Sequence, residues 1–68
     1  MNKRVKMMMN MSESIAKING WVIARSDLQR HTAGELVYYT LYMYYDVNGE
    51  IKEIIIRNDC TVVGYDED

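Results

Sequence analysis

The chain has 68 residues with 8 basic and 10 acidic side chains, a formal charge of −2, so it is one domain whose small core makes folding marginal without outside support. Its single cysteine, Cys60, excludes an internal disulfide, and one histidine with one cysteine falls short of a four-ligand zinc site. Oligomerisation or docking on a partner is the support that remains, and a lone thiol fits a reducing cytoplasm better than a secreted setting.

Residues 1–11 read as a disordered, basic, Met-rich leader. Lys3, Arg4 and Lys6 precede Met7-Met8-Met9, an apolar run far shorter than the roughly 7–15 residues of a signal-peptide core. Met11-Ser12 reads as an alternative start. The folded domain is expected over 12–68. Without the leader's three cations, 5 of the 8 basic residues stand against 10 acidic ones, a poor match for a phosphate backbone and a better one for a basic protein surface. No stretch approaches the roughly 18 apolar residues of a membrane span, so no membrane partner is expected.

Ser12 to Ile18 is the one candidate helix. Ser12 is a suitable N-cap, Ile15 and Ile18 share a face, and Asn19-Gly20 supplies a stop. An extended lead into the first strand is the alternative. Trp21 to Arg25 reads as a strand, followed by a polar nine-residue connection from Ser26 to Gly34 with turn-formers at Ser26, Asp27 and Gly34. Leu28 is its one large apolar residue.

Glu35 to Asp46 is a long strand holding five of the six tyrosines. Asn48-Gly49 predicts a type I′ turn, since both positions tolerate positive φ. Ile51 to Arg57 returns, Asn58-Asp59 turns again, and Thr61 to Tyr65 is a last short strand. The expected fold is a β-rich α+β domain: a four-stranded antiparallel meander with a short N-terminal helix. Curling into a small SH3-like barrel is one way to satisfy both sheet faces. A partner on one face, or a homodimer of stacked sheets, are the others.

A two-residue turn pairs Val47 with Glu50 and fixes every later pair. Met43 then faces Ile54 and Leu41 faces Ile56, with Val37, Tyr39 and Tyr45 on that apolar side. Tyr42 faces Ile55, Tyr44 faces Glu53 and Thr40 faces Arg57 on the other, along with Leu36 and Tyr38. A one-residue slip would exchange the faces. Carried through the second turn, the register puts Thr61 and Val63 on the apolar side and Val62 beside Ile55. Tyrosine offers large contact area at low entropy cost and a polar tip, so Tyr38, Tyr42, Tyr44, Ile55, Glu53 and Arg57 are the candidate partner-binding residues, with Arg25 near the rim.

Catalytic chemistry finds no footing. His31 reads as a solvated loop residue, and no acid, base and nucleophile set surrounds it. Cys60 follows Asp59, whose carboxylate disfavours a thiolate, and reads as a small half-buried residue opening a strand. Asp46, Asn48 and Glu50 alternate around the hairpin tip but lack the other ligands of a calcium loop. Asp66-Glu67-Asp68 reads as a solvated end. There is no Cys-x-x-Cys, zinc-protease, phosphate-loop or nucleophile-elbow motif. The expectation is a non-enzyme with no cofactor, metal or catalytic residue.

In its very short, acidic, single-domain build the chain is similar to the inhibitors encoded by phages and mobile elements, anti-CRISPR proteins among them. That resemblance implies a protein that acts by occupying a larger host protein or complex in the cytoplasm. Two other expectations stand beside it. One is a single-stranded nucleic-acid-binding β-domain, since aromatic rings on a sheet can stack bases. The other is an obligate homo-oligomeric structural or regulatory subunit.

Overall fold

The computed structural model describes residues 2–64. Helix α1 spans Lys3–Asn19, and four strands follow: β1 Val22–Ala33, β2 Leu36–Val47, β3 Glu50–Arg57 and β4 Val62–Val63. They form one antiparallel sheet in the order β1-β2-β3-β4. The sheet is open, not closed into a barrel.

The helix begins nine residues before the expected one, inside the segment expected to be a disordered leader. Asn2 caps it: its side chain accepts from the Val5 amide at 2.8 Å. From there Val5, Met8, Ser12 and Ala16 recur every three or four residues and are buried, which is one helical stripe. Ser12 is therefore mid-helix and not a cap. It is fully buried, with its hydroxyl donating to the Met9 carbonyl at 2.6 Å. Ile15 packs against the core, but Ile18 points away and is 82% exposed. Gly20 ends the helix as expected, in the left-handed conformation at φ 73° with its amide returned to the Ala16 carbonyl.

The second correction concerns β1. The expected polar connection at 26–34 is strand, and only Gly34-Glu35 turns. Gly34 has φ +64° at the first central position of a two-residue loop, where a II′ turn needs glycine. The sequence does not reveal this strand because nearly all of it is exposed, so it carries no buried-polar alternation. A bulge at Ala24 shifts its register between Ile23 and Arg25.

The β2–β3 hairpin has the expected register, from Val47 opposite Glu50 to Thr40 opposite Arg57. Asn48 at φ 55° and Gly49 at φ 88° make the turn, and Asp46 Oδ1 accepts the Gly49 amide at 2.9 Å. The helix lies on the face that holds Leu41, Met43, Tyr45, Ile54 and Ile56, all fully buried with Met8. Tyr39 is half-buried at the edge of this core. Val37, expected inside, is 40% exposed because it lies beyond the last residue paired with β3.

The second turn is one residue longer than expected. Arg57 donates to the Thr61 carbonyl at 2.9 Å, Cys60 donates to the Arg57 carbonyl at 2.8 Å, and Cys60 itself has φ 68°. The extra residue exchanges the faces: Val62 pairs with Ile56 and Val63 with Ile55, and Thr61 is exposed. Cys60 thus closes a turn instead of opening a strand, though it is half-buried against the core. Tyr65 and Asp66-Glu67-Asp68 lie outside the described residues.

Candidate protein-binding face

Residues opposite one another on antiparallel strands share a face. The register therefore gathers Tyr38, Tyr42 and Tyr44 of β2 with Glu53, Ile55 and Arg57 of β3 on the side away from the helix. β1 adds Arg25 opposite Tyr44, Asp27 opposite Tyr42, Gln29 opposite Thr40 and His31 opposite Tyr38. Val63 extends the face past Ile55. Among the described residues no element covers it. Leu36 is 63% exposed and Tyr38 37%, while Tyr42, Tyr44 and Ile55 are half-buried by their neighbours in the sheet.

Those neighbours hold the rings in place. The Arg25 guanidinium lies over the Tyr44 ring, 4.3 Å from its centroid, a cation–π contact. On the other flank the Glu53 carboxylate takes a hydrogen bond from the Tyr44 hydroxyl. That bond, then partial desolvation and the Glu53 charge, push the phenol above its usual range, and Arg25 opposes them. Tyr44 is thus a neutral hydrogen-bonding tip at any ordinary pH. His31 stacks on Tyr38 with ring centroids 4.9 Å apart and 24° between planes, and its Nε2 lies 3.0 Å from Thr40 Oγ1. It is a half-buried strand residue, not a solvated loop histidine. Gln29 donates to Asp27 Oδ2 at 3.0 Å.

The face mixes both signs of charge around apolar rings. Arg25 and Arg57 sit at opposite corners, and Asp27 and Glu53 flank the central tyrosines. Beside it, where β2 outruns β3, a notch of about 410 Å³ is lined by Leu36, Tyr38, Tyr39, Thr40, Arg57, Asn58 and Asp59. Its rim is fixed by the Tyr39 amide donating to Asn58 Oδ1 at 3.0 Å. Asp59 accepts from the Thr61 hydroxyl at 2.7 Å and the Thr61 amide at 3.0 Å, and these bonds hold its carboxyl below the usual range.

Among the described residues no three His, Cys, Asp or Glu side chains are grouped to hold a metal ion. The hairpin-tip Asp46 is turned onto its own turn amide. Among the described residues no helix is long and apolar enough to cross a membrane.

The register drawn from Asn48-Gly49 was sufficient to assemble the β2 and β3 residues. The contribution of Asp27, Gln29 and His31 was missed. The residues of β1 are exposed and mostly polar on both sides, so the one available signal was Gly34 at a two-residue turn before the tyrosine strand.

The chain matches no family model, and neither the curated proteins nor the solved structures contain a significant match to it.

Proposed function

We propose that this chain is a small non-catalytic protein-binding module that applies its tyrosine face to a larger cytoplasmic protein or complex. Inhibition by occupancy, in the manner of phage- or mobile-element-encoded inhibitors, is the mode we favour. One observation carries the reading. An aromatic and apolar sheet face, rimmed by Arg25, Arg57, Asp27 and Glu53, lies opposite the helix with nothing over it among the described residues. Exposed patches of this kind mark interaction surfaces, and tyrosine and arginine are enriched among residues that dominate binding energy.

Tyr42 lies between Asp27 and Ile55 at the middle of the face and is the expected anchor. A tagged chain should recover a protein partner from nuclease-treated host lysate, and Tyr42→Ala should lower that recovery at least tenfold. The variant should keep the parent's far-UV circular dichroism, because the core on the opposite face is untouched. Loss of fold together with binding would make Tyr42 a structural residue and end the assignment.

The same exposed rings keep single-strand nucleic-acid binding as a second reading, since aromatic platforms stack bases. Asp27 and Glu53 within the face weigh against it, because phosphates repel them. Recovery of only nuclease-sensitive material would favour that reading.

A further inference from the structure

β1 is an outer strand, paired only with β2 among the described residues. It runs Val22–Ala33 without proline, and its one bulge lies near its start. Residues 25–33 are therefore a continuous edge that lacks two of the devices, bulge and proline, by which natural sheets keep such edges from pairing. The Gly34-Glu35 loop fixes the direction of their backbone groups. The pair flanking a two-residue loop, here Ala33 and Leu36, exchanges both hydrogen bonds, and bonded and non-bonded pairs alternate from there. Arg25, Asp27, Gln29, His31 and Ala33 thus bond to β2. Ser26, Leu28, Arg30 and Thr32 aim their amides and carbonyls outward.

We propose that this edge pairs with the same edge of a second copy, antiparallel about a twofold axis through Gln29. Symmetry and charge select that register. The axis must pass through a residue, since facing side chains have to lie on one side of the joined sheet. Centring on Asp27 opposes two aspartates, and centring on Arg30 opposes two arginines. Centring on Leu28 sets Thr32 against the bulge at Ala24 and Asp27 against the partner's Gln29. Centring on Ser26 draws the bulge into the pairing. Centring on Gln29 uses residues 25–33 in full and opposes Asp27 to the partner's His31, twice by symmetry. Ser26 then exchanges backbone bonds with the partner's Thr32, and Leu28, 42% exposed, does so with the partner's Arg30, whose aliphatic stem can cover it.

The axis stands perpendicular to the sheet. Both tyrosine faces therefore lie on one side as a continuous aromatic surface, with both helices on the other. The pairing does not depend on what that surface binds. It supplies the oligomeric support that a domain of this size is short of.

Sedimentation of the full chain at micromolar concentration should give twice 8.0 kDa. Arg30→Pro removes an outward amide without touching the β2 ladder, and it should give a folded monomer. Asp27→Arg should also be monomeric, and adding His31→Asp should restore the dimer by setting the new cation opposite a new carboxylate. Should the proline variant fail to fold, the charge pair decides alone. A monomeric parent overturns the proposal, as does a dimer that survives both Arg30→Pro and Asp27→Arg. So does a dimer lost only with Tyr42→Ala, which would place the contact on the tyrosine face.

Discussion

A chain shortened to begin at Met11 is expected to have no cooperative unfolding transition. The truncation removes the Asn2 cap, the buried Val5 and the fully buried Met8. Burying each such side chain is worth about 1.5–3 kcal/mol, and the sheet's core side chains would face water where Met8 was. The remaining helix is about two turns long, too short to persist unaided. Small single cores rarely supply more than about 3–5 kcal/mol in all, so the loss matches the whole stability. The basic start reinforces this dependence. Lys3, Arg4 and Lys6 stand at the positive end of the helix dipole with no acidic residue in the first turn, an arrangement that costs stability, so packing of Val5 and Met8 must offset it. Urea denaturation followed by circular dichroism is the check. A sigmoidal transition with the parent's midpoint would mean that residues 2–10 do not belong to the core.

Tyr45→Ala should be nearly as damaging, by about 3–5 kcal/mol, the usual cost of emptying a buried aromatic site. Tyr45 is fully buried. Its ring packs on Trp21 with centroids 5.5 Å apart, and its hydroxyl donates to the Ser12 carbonyl at 2.9 Å. It thereby ties the sheet to the middle of the helix. Tyr45→Phe keeps the ring and loses only that bond, so it should cost about 1 kcal/mol. The two variants separate by pH as well. Burial raises the Tyr45 phenol above its ordinary value. Its contribution is therefore complete below the unfolded phenol pKa of about 10 and is lost as pH rises through the folded value. The Phe variant should lose less stability than the parent over that alkaline range. Equal alkaline losses in parent and Phe variant would show that Tyr45 is not the buried titrating group.

The legible parts of the fold were those with a local chemical reason. Asn48-Gly49 admits one tight turn, and that turn determined which side of β2 each tyrosine occupies. The buried set Leu41, Met43, Tyr45, Ile54 and Ile56 and the outward set Tyr38, Tyr42, Tyr44 and Ile55 both followed from it. The Asn58-Asp59 turn runs one residue longer than its sequence suggests because Cys60 takes a left-handed conformation usually left to glycine or asparagine, and the added residue inverts β4. The helix start was hidden by competing signals. A basic stretch before three methionines imitates a targeting segment, while the Val5, Met8, Ser12, Ala16 stripe has a serine in it. The serine is tolerated because its hydroxyl bonds to the Met9 carbonyl. β1 was hidden for the opposite reason. An exposed edge strand has no inward face to betray its period, so its residues could be polar throughout.

The order of the strands in the sheet repeats their order in the chain, and two of the three connections are two-residue turns. Each pairing therefore closes a very short loop. The long-range closures are those between helix and sheet: Asn2 to the Tyr39 hydroxyl across 37 positions and Tyr45 to Ser12 across 33. Rates of folding fall as contacts become more distant in sequence, so a zipping meander should form first and the helix should dock in the rate-limiting step. Leucine-to-alanine or methionine-to-alanine changes at that seam, Met8→Ala above all, should then divide their effect between slower folding and faster unfolding, whereas changes at the Asn48-Gly49 tip should appear almost wholly as slower folding. Stopped-flow Trp21 fluorescence would read both limbs, and a tip variant that changes only the unfolding rate would reverse that order of events.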